Sequence, residues 1–556
     1  MRTTCLFVAS VLLLLGHTSE SIKTIVFSQV SPSPAPIRFQ EIASSARLDF
    51  TLENSSTAEK HLIETMAGGV AAFDYDGDGR TDIFFTNGAA VPSLEKTSSR
   101  YFNRLFRNDG GMKFTDVTEQ AQMAGAGYSM GVSAADFDND GHVDLFVAGV
   151  YRNILYRNIG NGTFEDVTTQ AGIKSDMWSV AGGWFDYDND GKLDLWVVNY
   201  AKWTKDFDRF CGDEDKKVRV YCHPKYFEGL PNTLYHNRGD GTFEDVSRRA
   251  GVLQHTGKGM SVAFADYDND GYTDVFVTND SLPNFLFHNR KDGTFEEIAV
   301  TAGVALPDSG KPVSSMGVDF RDYDNDGRPD VIVTALAGET FPLFHNDGAG
   351  LFRDTTYLSH IGLLSARRSG WGVGFIDFDN DGWKDVFSAN SHVNDRIEHF
   401  EASEYKQANS LFASSGSGKF SDVSQQAGIT GMRRAHRGSA FADFDGDGKI
   451  DVVVSALGDA AELWRNISAG ENNWLIVKLI GTKSNRDGIG AVLEYANQSN
   501  VMTSSVGYAS SSHAGVHFGL GKAKKVESLR IKWSSGVVQT LNDLGVNQVI
   551  HVREPD

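Results

Sequence analysis

Short apolar runs recur along the chain in pairs, and each pair flanks a polar stretch rich in Asp and Gly. Gly69-Val-Ala-Ala-Phe73 precedes the first such stretch and Asp82-Ile-Phe-Phe-Thr-Asn87 follows it. Later copies read the same way, as in Asp194-Leu-Trp-Val-Val-Asn199 and Asp451-Val-Val-Val-Ser455. These runs are short, β-branched and aromatic, so they predict strands, and the polar stretch between them predicts the turn of a hairpin.

The turn has a fixed pattern, Asp-x-Asp-x-Asp-Gly-x-x-Asp, which occurs seven times. Positions 1, 3, 5, 7 and 9 of the first copy are Asp74, Asp76, Asp78, Arg80 and Asp82. The second has Asp136, Asp138, Asp140, His142 and Asp144, and the third Asp186, Asp188, Asp190, Lys192 and Asp194. The fourth has Asp266, Asp268, Asp270, Tyr272 and Asp274, and the fifth Asp322, Asp324, Asp326, Arg328 and Asp330. The sixth has Asp377, Asp379, Asp381, Trp383 and Asp385, and the seventh Asp443, Asp445, Asp447, Lys449 and Asp451. Four carboxylates in nine residues repel one another unless a cation joins them. Calcium, a hard cation with six to eight oxygen ligands, suits the spacing. Gly at position 6 permits the tight turn, and the varied position 7 fits a backbone carbonyl ligand. An EF-hand would need Glu at position 12 between helices, but the first loop has Phe85 there. About seven Ca²⁺ are expected.

The formal net charge of −21 changes meaning once the loops are set apart. They hold 28 of the 73 acidic residues, and the remaining 45 face 52 Lys and Arg. The acidity therefore sits in the loops, and the overall charge is a poor guide to what the rest of the surface attracts.

Successive loops begin 62, 50, 80, 56, 55 and 66 residues apart, long enough for a four-stranded propeller blade. Two further motifs share the period. Leu-aromatic-x-Asn begins at Leu105, Leu155, Leu234, Leu286, Leu343 and Leu463, while the sixth copy ends in Ser414. A Phe-x-acid strand begins at Phe114, Phe164, Phe243, Phe295, Phe352 and Phe420. It is missing after the seventh loop and turns up ahead of the first, at Phe39. The N-terminal strand is thus expected to complete the last blade and close a seven-bladed ring, which removes open edges. The fold class is all-β.

These loops inside β-blades resemble the FG-GAP/VCBS repeats of integrin-α-like propellers. The segments Trp474-Leu-Ile-Val-Lys-Leu479, Gly481-Thr-Lys-Ser484-Asn485-Arg486-Asp487, His517-Phe-Gly-Leu-Gly521 and Leu529-Arg-Ile-Lys-Trp533-Ser-Ser-Gly536 are similar to the ASPIC/UnbV domain. The order resembles the cartilage acidic protein-like family. The resemblance implies a propeller over 36–468 and a small, sandwich-like β domain over 472–553. It defines architecture more than activity.

Arg2 precedes an apolar run over 6–15, which reads as a secretory signal peptide over 1–21 and is too short for a membrane span. A Ser/Pro spacer over 22–35 follows. Secretion, or a periplasmic or cell-surface location in a bacterium, is expected. The mature chain then keeps Cys211 and Cys222, expected to pair in an oxidising compartment. Asn54, Asn161, Asn279, Asn466 and Asn497 stand in glycosylation sequons.

No catalytic residue can be assigned. Gly127-Tyr-Ser129-Met-Gly131 matches a nucleophile elbow, but it leads into a strand and a metal loop rather than a helix. His236, His288 and His345 repeat within the Leu-aromatic-x-Asn strands, which marks them as structural. Blade geometry places the metal loops on one face of the disc and the other links on the opposite face. Those other links include long insertions over 200–231 and 391–410. They also carry Lys258, Arg367, Arg368, Trp371, Arg433, Arg434, His436 and Arg437. These residues are the candidate ligand-binding set, for an acidic glycan or an extracellular protein surface; nucleic acid is not expected at this charge. The expected function is extracellular recognition, adhesion or scaffolding. The alternative is a polysaccharide-active lyase or hydrolase on the same face, with a biosynthetic or redox accessory role ranked last.

Overall fold

The computed structural model describes residues 37–174 and 176–556, so the leader, Cys5 and the spacer lie outside the described residues. Seven four-stranded antiparallel sheets are arranged around an axis. The first blade runs Val70–Phe73, Asp82–Phe85, Arg104–Asn108 and Phe114–Asp116, from the axis outward. The innermost strands of the other six are Tyr128–Ala135, Ser179–Phe185, Gly259–Ala265, Val318–Arg321, Gly370–Ile376 and His436–Ala442. Each Asp-rich loop joins an innermost strand to the second strand of its blade. The last blade takes its outer strand from the other end of the chain: Phe39 lies opposite Asn466, Gln40 opposite Arg465 and Glu41 opposite Trp464. The ring therefore closes in the permuted order that the displaced Phe-x-acid motif predicts.

The acid of that motif has a local task. Glu41, Asp116, Glu297 and Asp422 each accept the backbone N–H two residues on, at 2.8–2.9 Å, and so cap the turn after the outer strand.

The C-terminal domain is a pair of facing sheets. One contains Val516–Gly521, Asn473–Ile480 and Gln548–Arg553; the other contains Gln498–Val501, Val492–Tyr495, Val526–Lys532 and Val538–Leu544. Leu475, Val477, Leu493, Phe518, Leu529 and Ile531 fill the space between them, continuous with Phe137 and Trp184 of the propeller. The polar segment at 484–487 is held rather than free. Glu554 accepts the Ser535 hydroxyl and the backbone N–H groups of Thr482, Lys483 and Ser484, the last three each at 2.8 Å, and these bonds outweigh burial and hold its carboxyl down at about 2.

This domain sits on the metal-loop face. Asp136 N–H donates to Asp487 at 2.8 Å, Arg486 N–H to Asn139 at 2.7 Å, and Gly521 N–H to the Asn380 carbonyl at 2.8 Å. A hairpin, Ser505–Val506 with Ser510–Ser512, leaves it and enters the axial channel. Ser511 and Ser512 pair in parallel with Ala71 and Ala72 of the first blade. The serine hydroxyls and tip backbone then bond around the ring: Val70 N–H to Ser510 Oγ, Ala134 N–H to Ser511 Oγ, Phe441 N–H to Ser512 Oγ, and Gly507 with Val318 in both directions. Small inner-strand residues make room, since a Cβ on Gly131 would lie 2.4 Å from the Val180 carbonyl and 2.9 Å from Ala509. At the tip, Tyr508 is sealed, its hydroxyl donating to the Met66 carbonyl at 2.7 Å and its ring edge-on to Trp371.

Tyr508→Ala is expected to lower the unfolding free energy by about 3–5 kcal/mol, the usual cost of truncating a sealed aromatic. Urea denaturation followed by tryptophan fluorescence measures it, and a loss within error of zero would mean that the hairpin does not hold the ring.

Candidate metal loops and the open face

All seven loops are shaped by the same hydrogen bonds. The position-1 carboxylate accepts the N–H of the position-6 glycine, from Asp136 with Gly141 at 2.7 Å to Asp186 with Gly191 at 2.9 Å. The position-5 carboxylate accepts the N–H of position 7, as Asp78 does from Arg80 at 2.9 Å. Position 9 bridges outward: one oxygen of Asp82 accepts Tyr75 N–H at 2.9 Å and the other accepts Asn108 N–H at 2.7 Å. Position 4, which the sequence reading left unassigned, also matters. Asn139, Asn189, Asn325 and Asn380 take the left-handed conformation there, and their amides donate to the glycine carbonyl of the next loop at 2.8–3.2 Å.

The carboxylates converge. Ligand atoms of Asp74, Asp76 and Asp82 lie within 4.8 Å of one another, as do those of Asp136, Asp138 and Asp140. One oxygen each of Asp188, Asp324 and Asp445, all at position 3, is buried without a partner. Burial raises Asp82 and Asp186 to about 8 and Asp379 to about 7. Orphaned buried oxygens among converging carboxylates fit a hard divalent cation, which the position 1, 3, 5 and 9 carboxylates could hold, and in the third, fourth and fifth loops His236, His288 and His345 stand in the same clusters. Four position-7 side chains work differently from their backbone: Arg80, Lys192, Arg328 and Lys449 each pair with the position-5 Asp of their own loop. His236, His288 and His345 stand beside the loops, with Nδ1 3.1–3.2 Å from the position-9 Asp.

The Leu-aromatic-x-Asn motif ties blade to blade. The Asn158 amide donates to the Tyr75 carbonyl in the loop of the preceding blade at 2.7 Å, and Asn289 to Tyr187 likewise at 2.7 Å. Asn237, Asn346 and Asn466 repeat the bond, and Asn108 closes the ring onto Phe444 at 2.8 Å. Ser414, in the sixth copy, is too short for it; it keeps the backbone bond to Asp385, and its hydroxyl accepts Gly416 N–H at 3.3 Å.

On the opposite face, the third- and sixth-blade insertions and the segment at 53–66 converge. Lys60 pairs with Asp395 at 2.6 Å, and Tyr221 hydroxyl donates to Glu64 at 3.1 Å. Cys211 and Cys222 are disulfide-bonded within the third-blade insertion, their Cα atoms 5.3 Å apart. Beneath these segments a cavity of about 270 Å³ opens over the propeller axis.

The FG-GAP-like repeat family matches this chain at 74–147, 136–197, 210–277, 266–333, 322–388 and 397–454, more than half of its length. The chain belongs to that family. The ASPIC and UnbV family matches residues 481–556 of this FG-GAP protein. It is 28% identical over 331 residues to cartilage acidic protein 1 of Homo sapiens, covering 57% of this chain and 47% of the relative. It is 28% identical over 334 residues to cartilage acidic protein 1 of Xenopus tropicalis, covering 57% and 48%. The chain thus spans about half the length of the curated relatives it matches. Among solved structures, an Agrocybe aegerita lectin superposes with a TM-score of 0.39 at 15% identity, covering 71% of this chain and 87% of that one.

The predicted cationic residues of this FG-GAP propeller do not form one open patch. Arg433 pairs with Glu404, Arg434 lies 3.6 Å from Glu462, and Arg368 lies 3.9 Å from Asp422. His436 is sealed between the Asn390 carbonyl and Glu462. Lys258, Trp371 and Arg437 are buried, while Arg367 is exposed. The reason is topological: His436 and Arg437 begin an innermost strand rather than ending a surface link. Two sequons are closed for a similar reason, since Asn279 and Asn466 are buried in strand ends. Ser129 lies within the strand Tyr128–Ala135, buried.

Asn289→Ala is expected to cost about 1–3 kcal/mol in denaturant unfolding, because it leaves the buried Tyr187 carbonyl unpaired. Ser414→Asn in the departing copy is expected to be neutral or stabilising; a large loss there would contradict the clamp.

Proposed function

We propose that this protein is a secreted, calcium-loaded propeller that recognises an acidic glycan or an acidic protein surface outside the cell. One observation carries the choice of surface. The C-terminal domain occupies the metal-loop face and plugs the channel, so the face bearing the two insertions is the disc face left open. The orphaned carboxylate oxygens at position 3 support calcium, and the Cys211–Cys222 bond supports an oxidising compartment. No helix among the described residues is long and apolar enough to cross a membrane. Calcium stiffens the hairpin tips in this reading, since binding to the folded form adds to folding free energy. Arg367 supplies accessible positive charge, and Arg368 and Arg433 would exchange Asp422 and Glu404 for an acidic partner; Arg side chains hold carboxylate or sulfate in a bidentate manner.

Replacing Arg367, Arg368 and Arg433 together with Ala is expected to move elution from a heparin column to markedly lower salt, with thermal melting unchanged. Elution at the wild-type salt concentration would overturn the reading of this face.

A further inference from the structure

Seven loops share one carboxylate pattern, but a single position on the third strand divides them. The third residue of the Leu-aromatic-x-Asn motif is Arg107, Arg157 and Arg465 in the first, second and seventh blades, and Ala413 in the sixth. In the third, fourth and fifth it is His236, His288 and His345. Two of the arginines act as counter-charges to a position-3 carboxylate: Arg157 lies 2.6 Å from Asp138, and Arg465 lies 2.6 Å from Asp445. Arg107 pairs with Asp109 instead. The histidines use the same place differently. Nδ1 of each lies 3.1–3.2 Å from an oxygen of the position-9 Asp and 3.4–3.7 Å from an oxygen of the position-3 Asp of its own blade.

A hydrogen bond accounts for only part of this arrangement. A ring nitrogen carries at most one hydrogen, so Nδ1 can serve one carboxylate and not two. His288 and His345 are hydrogen-bonded to Asp274 and Asp330, at 3.2 and 3.1 Å, which leaves their approach to position 3 unexplained. His236 lacks even that bond. Its Nδ1 is buried without a hydrogen-bond partner, although Asp194 lies 3.2 Å away, and one oxygen of the neighbouring Asp188 is orphaned as well. Two donors each about 2.0–2.2 Å from one zinc ion lie roughly 3–3.5 Å apart, close to the spacings around each Nδ1. Ligand atoms converge within 4.8 Å in all three loops, as in Asp268, Asp274 and His288. Edge-on contacts with Tyr187 and Tyr267, at position 2, fix the rings of His236 and His288.

We propose that the third, fourth and fifth loops are zinc-preferring sites, in which His236, His288 and His345 each add an imidazole nitrogen to the position-3 and position-9 carboxylates. Calcium takes six to eight oxygen ligands and gains little from a nitrogen, whereas imidazole suits zinc and its neighbours in the first transition series. The other four loops carry no histidine at this place and remain calcium sites. The proposal rests on the reading of the loops as cation sites and goes beyond it: the ring takes two kinds of ion, with zinc on three adjacent blades. In calcium alone, all seven loops fill with calcium.

The full chain, loaded in millimolar calcium, is dialysed against radioactive zinc chloride at micromolar free ion, and bound zinc and released calcium are counted. About three zinc ions per chain are expected, each displacing one calcium. His236→Gln, His288→Gln and His345→Gln are then made singly and together; glutamine keeps an amide N–H for the position-9 carboxylate but removes the imidazole. Each single change is expected to remove one zinc, and the triple variant all three, while calcium binding measured without zinc and the melting temperature stay at wild-type values. Those two controls show that a variant is folded, and the wild-type zinc count is a test that needs no variant. The proposal is overturned if the wild type retains no zinc against calcium, if the triple variant keeps its zinc, or if the substitutions weaken calcium and zinc equally, as loss of a histidine that only orients a carboxylate would. A chain that binds calcium but no zinc sinks the histidine assignment alone; one that binds neither ion sinks the reading of the loops with it.

Discussion

Four carboxylates held in a nine-residue turn repel one another unless a counter-charge or a proton relieves them, and this chain builds that conflict seven times. The loops are already shaped by their own backbone before any ion is considered: position 1 holds the glycine N–H, position 5 holds position 7, and position 9 reaches both back into its loop and across to the third strand. What this scaffold leaves over is negative charge, including one position-3 oxygen with nothing to bond in each of the third, fifth and seventh loops. A divalent ion at each tip would turn the repulsion into a crosslink between the two inner strands of each blade. Asn amides then carry the order outward, from each blade to the loop of the one before it.

The two faces of the disc divide the work. The metal-loop face is taken up by the C-terminal domain, whose Asp487 and Arg486 bond to the second loop and whose hairpin runs up the axis between all the inner strands. The hairpin ends with Tyr508 against Trp371 and Met66, the latter two being cavity-lining residues of the opposite face. One structural element thus joins the domain on one side to the cavity on the other. A rigid ring with long insertions on its free side is a common way to present recognition surfaces, but fold alone does not choose the ligand.

The sequence is most legible where contacts are local and repeated. The Asp loops, the Leu-aromatic-x-Asn strands and the displaced strand at Phe39 all announce themselves by period, and Phe39 indeed pairs with Asn466. The hairpin at Ser505 to Ser512 is hidden for the opposite reason. Its partners, such as Val70 and Ala134, lie hundreds of residues away, and its signal is only a run of small residues in an otherwise alternating domain. The basic stretch ending in Arg437 misleads because charge in sequence reads as surface, whereas here the inner strand starts at His436 and draws both side chains inside. Asn466 matches a glycan acceptor by pattern but is the amide clamp of the last blade.

The central claim is that a divalent ion resolves the charge conflict at every hairpin tip. Equilibrium dialysis of the purified chain against radioactive calcium at up to millimolar free ion tests it most directly. The account predicts saturation at about seven ions per chain, with one site lost for each loop whose position-1 Asp is changed to Ala. Saturation at two ions or fewer, or a stoichiometry that ignores those substitutions, would contradict it.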